Sequence, residues 1–134
     1  MTMNQQFIIS YRELRVYQTA LDIAMQVFEM SQELPPEERD HLMIPLIRAT
    51  RLVCVYIAQA WLKRRYQAGF IAKLNQAEVE AATAQVWLEF AVLCSYLDAQ
   101  KGQELHHDYQ QVLVDLSRLI DHSAAWVLPI SLNS

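Results

Sequence analysis

The chain has 134 residues, 53% apolar and 19% charged, and its 11 Lys and Arg against 15 Asp and Glu give a formal charge of −4. That length suits one compact domain, and two Gly with four Pro exclude linker-rich, collagen-like and disordered classes. An all-β fold is excluded by the lack of β-branched runs and Gly turns.

The N-terminal stretch Met1 to Ile9 lacks the basic start and long apolar run of a signal peptide, so a cytoplasmic protein is expected. Ser10 and Glu13 have capping-box spacing, which predicts a helix over about 11–33. Leu14, Tyr17, Leu21, Ala24 and Phe28 form one apolar seam; Val16, Ala20, Ile23, Val27 and Met30 form a second. Pro35 and Pro36 stop this helix, because proline lacks an amide donor and disfavours helix in the residue before it.

A second helix is predicted over about 42–65, with Pro45 tolerated in its first turn. Its stretch Leu52 to Leu62, the longest uncharged run within a predicted helix, is about half of the roughly 20 residues a bilayer span requires, so no membrane contact is expected. After a tight connection at 66–69, a third helix is predicted to reach residue 97. Phe70, Leu74, Ala77, Ala81, Ala84, Leu88, Ala91 and Ser95 keep heptad spacing along it. A break around Asp98 to Gly102 precedes a fourth helix over about 101–123, with a seam of Leu105, Tyr109, Val112, Leu116 and Leu119. The tail 124–134 has Pro129 and no clear period, which predicts loose order.

Four long helices with short connections imply an all-α, antiparallel up-down-up-down four-helix bundle in one domain. The middle of helix two and the end of helix three are apolar all round, more than one core can cover. Subunit contacts are therefore expected through Val53, Val55, Tyr56, Trp87 and Val92, making a homo-oligomer.

Catalytic and metal chemistry find no support in the sequence. Glu38 with His41, and Glu104 with His107, have the spacing of carboxylate–imidazole pairs in di-iron bundles. The first pair falls in the proline-bounded turn, however, and His107 lies about 200° from the apolar seam of its helix. No metal, cofactor or catalytic residue is expected: a nucleophile elbow, a phosphate-binding glycine loop and a Cys-x-x-Cys pair are all missing from the sequence. Cys54 and Cys94 come out roughly 20 Å apart in a helical hairpin, too far for a disulfide, and both read as buried free thiols.

Charge is unevenly placed. Segment 41–77 contains Arg48, Arg51, Lys63, Arg64, Arg65 and Lys73 with no Asp or Glu, so it carries +6 and leaves −10 for the remainder. Trp61 and Tyr66 bracket Lys63 to Arg65. Cations beside aromatics attract phosphate and stack on unpaired bases, which makes RNA or a nucleic-acid-handling protein a candidate partner. The plainer alternatives are cations complementing a helix C-terminus, or pairing with Glu29, Glu33 or Glu89 of another copy. In that case the chain is a protein-interaction scaffold.

Several short patterns recur in a known order: Leu14-x-Val16-Tyr17-Gln18-x-Ala20, Pro36-x-Glu38-Arg39-x-x-Leu42, Arg48-Ala49, Ile57-Ala58, Phe70-x-x-x-Leu74-x-x-Ala77 and Gln85-x-Trp87-Leu88-x-Phe90-Ala91. Together they resemble the four-helix-bundle proteins encoded within intervening sequences of bacterial 23S ribosomal RNA genes. That group includes the accessory variability protein of diversity-generating retroelements. The resemblance covers about Leu14 to Leu119 and implies the bundle, a ring-like homo-oligomer (typically a pentamer) and no catalytic residues. The chain departs from it at Tyr56-Ile57-Ala58-Gln59-Ala60, where Asn-Ile-Ala-Glu-Gly is usual, and at Pro45, where Gln is usual. It is also acidic overall, whereas the retroelement proteins, which bind nucleic acid and reverse transcriptase, are markedly basic.

Overall fold

The computed structural model describes residues 10–128. Four long helices, α1 (Arg15–Ser31), α2 (Ile44–Leu62), α3 (Gln67–Leu93) and α4 (Ala99–Asp121), are followed by a one-turn helix, α5 (Ser123–Trp126). No strand occurs among the described residues. Each long helix packs on its neighbours in the cycle α1–α2–α3–α4–α1. Between α3 and α4, Gln85 meets Gln110 and Val92 faces Gly102. Numbers rise on one helix as they fall on the other, so this pair runs in opposite directions.

The capping box forms, with the Glu13 carboxylate accepting from the Ser10 amide at 3.3 Å. It caps a single 3-10 turn, Tyr11–Glu13, and extended Leu14 separates that turn from α1. Of the second predicted seam in α1, Val16, Ala20, Ile23 and Val27 lie inside; of the first, Leu14 and Ala24 are buried while Leu21 faces outward. A 3-10 turn at Pro36–Glu38 and a π-helical turn at Arg39–Met43 lead into α2. Pro45 sits in the first turn of α2, where its missing donor costs no helical bond.

By length and composition the run Pro36–Leu62 would suffice to cross a membrane, which counting uncharged residues alone did not indicate. Its inner side instead fills the core with Leu46, Ala49, Val53, Ile57 and Ala60. Arg48 and Arg51 interrupt its outer side; an arginine near a bilayer centre costs about 2.5–3.5 kcal/mol. These two features fit a core helix.

The heptad positions of α3 are buried from Phe70 through Ala91. The helix ends four residues earlier than predicted, because a left-handed cap closes it. Ser95 has φ 62°, its N–H donates to the Val92 carbonyl, and the Tyr96 N–H donates to the Ala91 carbonyl, both at 2.9 Å. That double bond pattern is a Schellman cap, usually built on glycine. Ser95 therefore leaves the seam, and Cys94 is exposed rather than buried. Asp98 then caps α4, its carboxylate accepting from the Lys101 amide at 3.2 Å. Gly102 is not part of a break. It lies inside α4, where a Cβ would collide with Val92 Cγ2, so it lets α3 and α4 approach closely.

Most buried polar groups find partners: Thr50 Oγ1 donates to the Ile47 carbonyl at 2.8 Å, and Gln85 Nε2 donates to the His106 carbonyl at 3.2 Å. Among the described residues the exceptions are the Tyr109 hydroxyl and Gln59 Oε1.

Candidate functional site

Two surface features could carry function, the cations of α2 with its following turn and the outer face of α3. α2 places Arg48 and Arg51 on its exposed side, and the Arg51 guanidinium lies 5.6 Å from the Phe28 ring centre. Lys63 and Arg65 project from the α2–α3 turn beside Tyr66, which is 69% exposed. Since α2 rises about 1.5 Å per residue, Arg48 and Lys63 are separated by about 22 Å along its axis. The cations thus fall into two groups rather than one patch. Lys73, on α3, lies 5.5 Å from the half-buried Tyr56 ring and bridges the two helices.

Arg64 and Trp61 do not join that exposed set. The Arg64 guanidinium stacks 3.5 Å above the Trp61 ring centre, and its Nε donates to the Trp61 carbonyl at 3.1 Å. Burial lowers the Arg64 pKa from its ordinary value. Trp61 is only 8% exposed, with Trp126 against it edge-on at 6.0 Å between ring centres. A ring enclosed in this way offers no free face to a base.

The tail supplies this cover, which its weak periodicity did not predict. Gln67 Nε2 donates to Ser123 Oγ at 2.9 Å, and the Leu128 amide donates to the Arg64 carbonyl at 2.8 Å. Residues 123–128 are therefore tied to the α2–α3 turn instead of loose. The remainder of the tail, 129–134, lies outside the described residues.

The five residues expected at subunit contacts divide by depth. Val53 has no exposed surface and belongs to the core, because it faces the bundle axis one helical turn from Ala49 and Ile57. Val55 is exposed, while Tyr56, Trp87 and Val92 are half-buried. The stronger apolar feature is the outer face of α3. Ala72, Asn75, Gln76, Val79, Ala82, Val86, Phe90 and Leu93 are all exposed, and none is charged. This strip is about 32 Å long at helical rise, and its apolar part, from Val79 to Leu93, is about 21 Å long because Asn75 and Gln76 are polar amides. Its signal in the sequence was the absence of charge at positions opposite the heptad seam.

A groove of about 320 Å³ lies between α3 and α4, lined by Leu88, Val92, Leu93, Ala99 and Gly102. At its rim His106 is 4.0 Å from Glu89, a pairing the sequence did not suggest. Glu104 lies 3.9 Å from Lys101, and His107 and His41 face solvent. Among the described residues no three His, Cys, Asp or Glu side chains gather as a metal-binding group.

The profile of the family described as 23S rRNA-intervening sequence protein matches residues 12–118 of the chain. Among solved structures, a protein of unknown function from the S23 ribosomal protein family of Bacteroides thetaiotaomicron superposes with a TM-score of 0.72 at 21% identity. The alignment covers 89% of this chain and 99% of that one, a likeness of fold. No curated protein matches the chain in sequence.

Proposed function

Since the chain belongs to the 23S rRNA-intervening sequence protein family, we propose that it is a non-enzymatic, cytoplasmic binding module. In this reading an antiparallel up-down-up-down four-helix bundle assembles into a ring-like homo-oligomer, a pentamer, whose exposed cations hold RNA or a nucleoprotein. The observation that carries the assembly is the uncharged outer strip of α3, with Val79 63% and Leu93 78% exposed. Contiguous apolar strips of this extent are uncommon on monomers and mark contact surfaces. A ring needs a head-to-tail contact in which two different patches meet, and the α3–α4 groove beside the strip supplies the second patch.

Nucleic-acid binding is supported by Arg48, Arg51, Lys63, Arg65 and Lys73, which stand in a segment without any acidic residue. A ring multiplies that positive edge although each chain is acidic, and potential at a patch depends on local charge more than on the total. The protein-interaction scaffold remains the second reading, favoured by the commitment of Arg64 and Trp61 to internal contacts.

Light scattering coupled to size exclusion tests the assembly. The unaltered chain should elute as an oligomer, and V86K combined with F90K should give a helical monomer. A monomeric unaltered chain at micromolar concentration would overturn this part. Anisotropy with labelled single-stranded RNA tests the cations. Binding at low salt should weaken as salt rises, with a log–log slope of about −0.7 per phosphate contacted, and K63Q with R65Q should shrink that slope while the oligomer persists. An intact oligomer without low-salt RNA binding would leave the scaffold.

A further inference from the structure

Residues 123–128 lie beyond the stretch matched by the family and make three separate contacts with the α2–α3 corner. Gln67 reaches Ser123, Trp126 meets Trp61, and the Leu128 amide reaches the Arg64 carbonyl. Each contact falls on Trp61, on Arg64 or within a helical turn of them. The bond from Leu128 also fixes the backbone of the turn from which Lys63 and Arg65 project.

The covered group has a specific composition. An indole with a guanidinium 3.5 Å above its ring combines a flat apolar surface with a fixed positive charge. This pairing suits an unpaired nucleobase and its phosphate, since a base stacks on an aromatic ring and a cation meets the backbone. Trp126 is itself a flat, nitrogen-bearing bicycle of about the size of a purine, and it lies edge-on to Trp61 at an interplanar angle of 64°.

We infer that Trp61 and Arg64 form a stacking site for an unpaired base of single-stranded nucleic acid, and that the chain's own Trp126 occupies it. The inference rests on the nucleic-acid reading above and adds the site and its resident competitor. When the tail is docked, Lys63, Arg65 and Tyr66 make only the outer contacts. When it lifts, Trp61 and Arg64 join them as a continuous platform.

Two full-length variants weaken the tail by unrelated means. W126A removes the competing ring, and L128P removes the amide that donates to the Arg64 carbonyl. Affinity for a labelled unstructured RNA of about a dozen nucleotides would be measured at low salt for the unaltered chain and both variants. W61A/W126A serves as the control lacking the platform. One added base stack should tighten binding about five- to tenfold in both variants, with the gain lost in the double variant. Circular dichroism and light scattering verify unchanged helix and assembly, and L128P, which leaves every aromatic in place, decides the case if W126A misfolds. If the unaltered chain binds RNA and the variants bind no more tightly, the occupied site is overturned and the nucleic-acid reading stands. Absence of binding by every chain overturns both.

Discussion

Tyr109 stands mid-way along α4 with no exposed surface, and its hydroxyl has no hydrogen-bond partner. Burying a hydroxyl unpaired forfeits its bonds to water, at a cost of about 1–3 kcal/mol. Y109F removes that cost and keeps the ring. What is lost is a handful of contacts to one oxygen, worth about 0.1–0.2 kcal/mol each. The difference favours the variant by about 1 kcal/mol at neutral pH. For a domain of this size that corresponds to a rise in Tm of about 3–5 °C. The denaturant m-value should not change, since the surface exposed on unfolding is the same.

Alkaline solution supplies a second arm. Burial pushes the Tyr109 phenol up, with a smaller contribution from Cys54, and burial raises Cys54 itself to about 11. A group whose folded pKa lies above its unfolded value contributes full stability below the unfolded pKa and loses it as pH rises toward the folded one. The unaltered protein should therefore weaken from about pH 9 as Cys54 ionises in the unfolded chain, and further above about pH 10 through Tyr109. Y109F removes the Tyr109 loss and keeps those from Cys54 and from Tyr17, whose phenol burial also raises, so its advantage should widen by up to about 1.4 kcal/mol per pH unit above pH 10. Urea unfolding followed by circular dichroism, at one fixed chain concentration, measures both arms; the fixed concentration matters because assembly shifts midpoints. A variant less stable than the unaltered chain by more than about 1 kcal/mol at neutral pH would refute the unpaired hydroxyl. A constant advantage between about pH 9.5 and 11 would refute its burial.

Two further substitutions test the α3–α4 corner. Ser95 occupies the left-handed region at φ 62°, where a Cβ costs about 1–2 kcal/mol, so S95G should raise the unfolding free energy by about 1 kcal/mol in the same titration. G102V should do the opposite: even the first added carbon would strike Val92 Cγ2, and overpacking of this kind costs about 1–3 kcal/mol. That exceeds the roughly 1 kcal/mol a glycine sacrifices in a helix interior, so a G102V variant as stable as the unaltered chain would show that α3 and α4 do not pack closely there.

The seam of α4 marks its buried face directly, because a 3.6-residue period has a phase when polar residues fill the opposite side. In α3 the heptad of Phe, Leu and Ala marks the buried face even though Val79, Val86, Phe90 and Leu93 lie opposite it. The same logic fails for the middle of α2. Val53 and Val55 are equally apolar, so the sequence contains no phase, and only packing against α1 and α3 turns the first inward and the second outward. In α1 both seams contribute to the core, Val16, Ala20, Ile23 and Val27 from one and Leu14 and Ala24 from the other, and only packing turned Leu21 outward. Of the candidate site, the sequence showed the concentration of cations, which is a property of composition. It did not show that Arg64 and Trp61 serve each other while Lys63 and Arg65 face solvent.

What the sequence determined alone is local: helix type, proline and aspartate boundaries, and a segment free of acidic residues, each set by interactions within a few residues. Tertiary structure decided the remainder. Ser95 adopts a cap that glycine usually fills because the chain must turn there to bring α4 onto α3, and Gly102 serves the close approach of two helices rather than a break between them. Trp126 finds Trp61 across 65 residues of chain, a pairing that no periodic pattern encodes. Such contacts depend on which surfaces meet once the helices have packed, and that is a property of the assembled bundle.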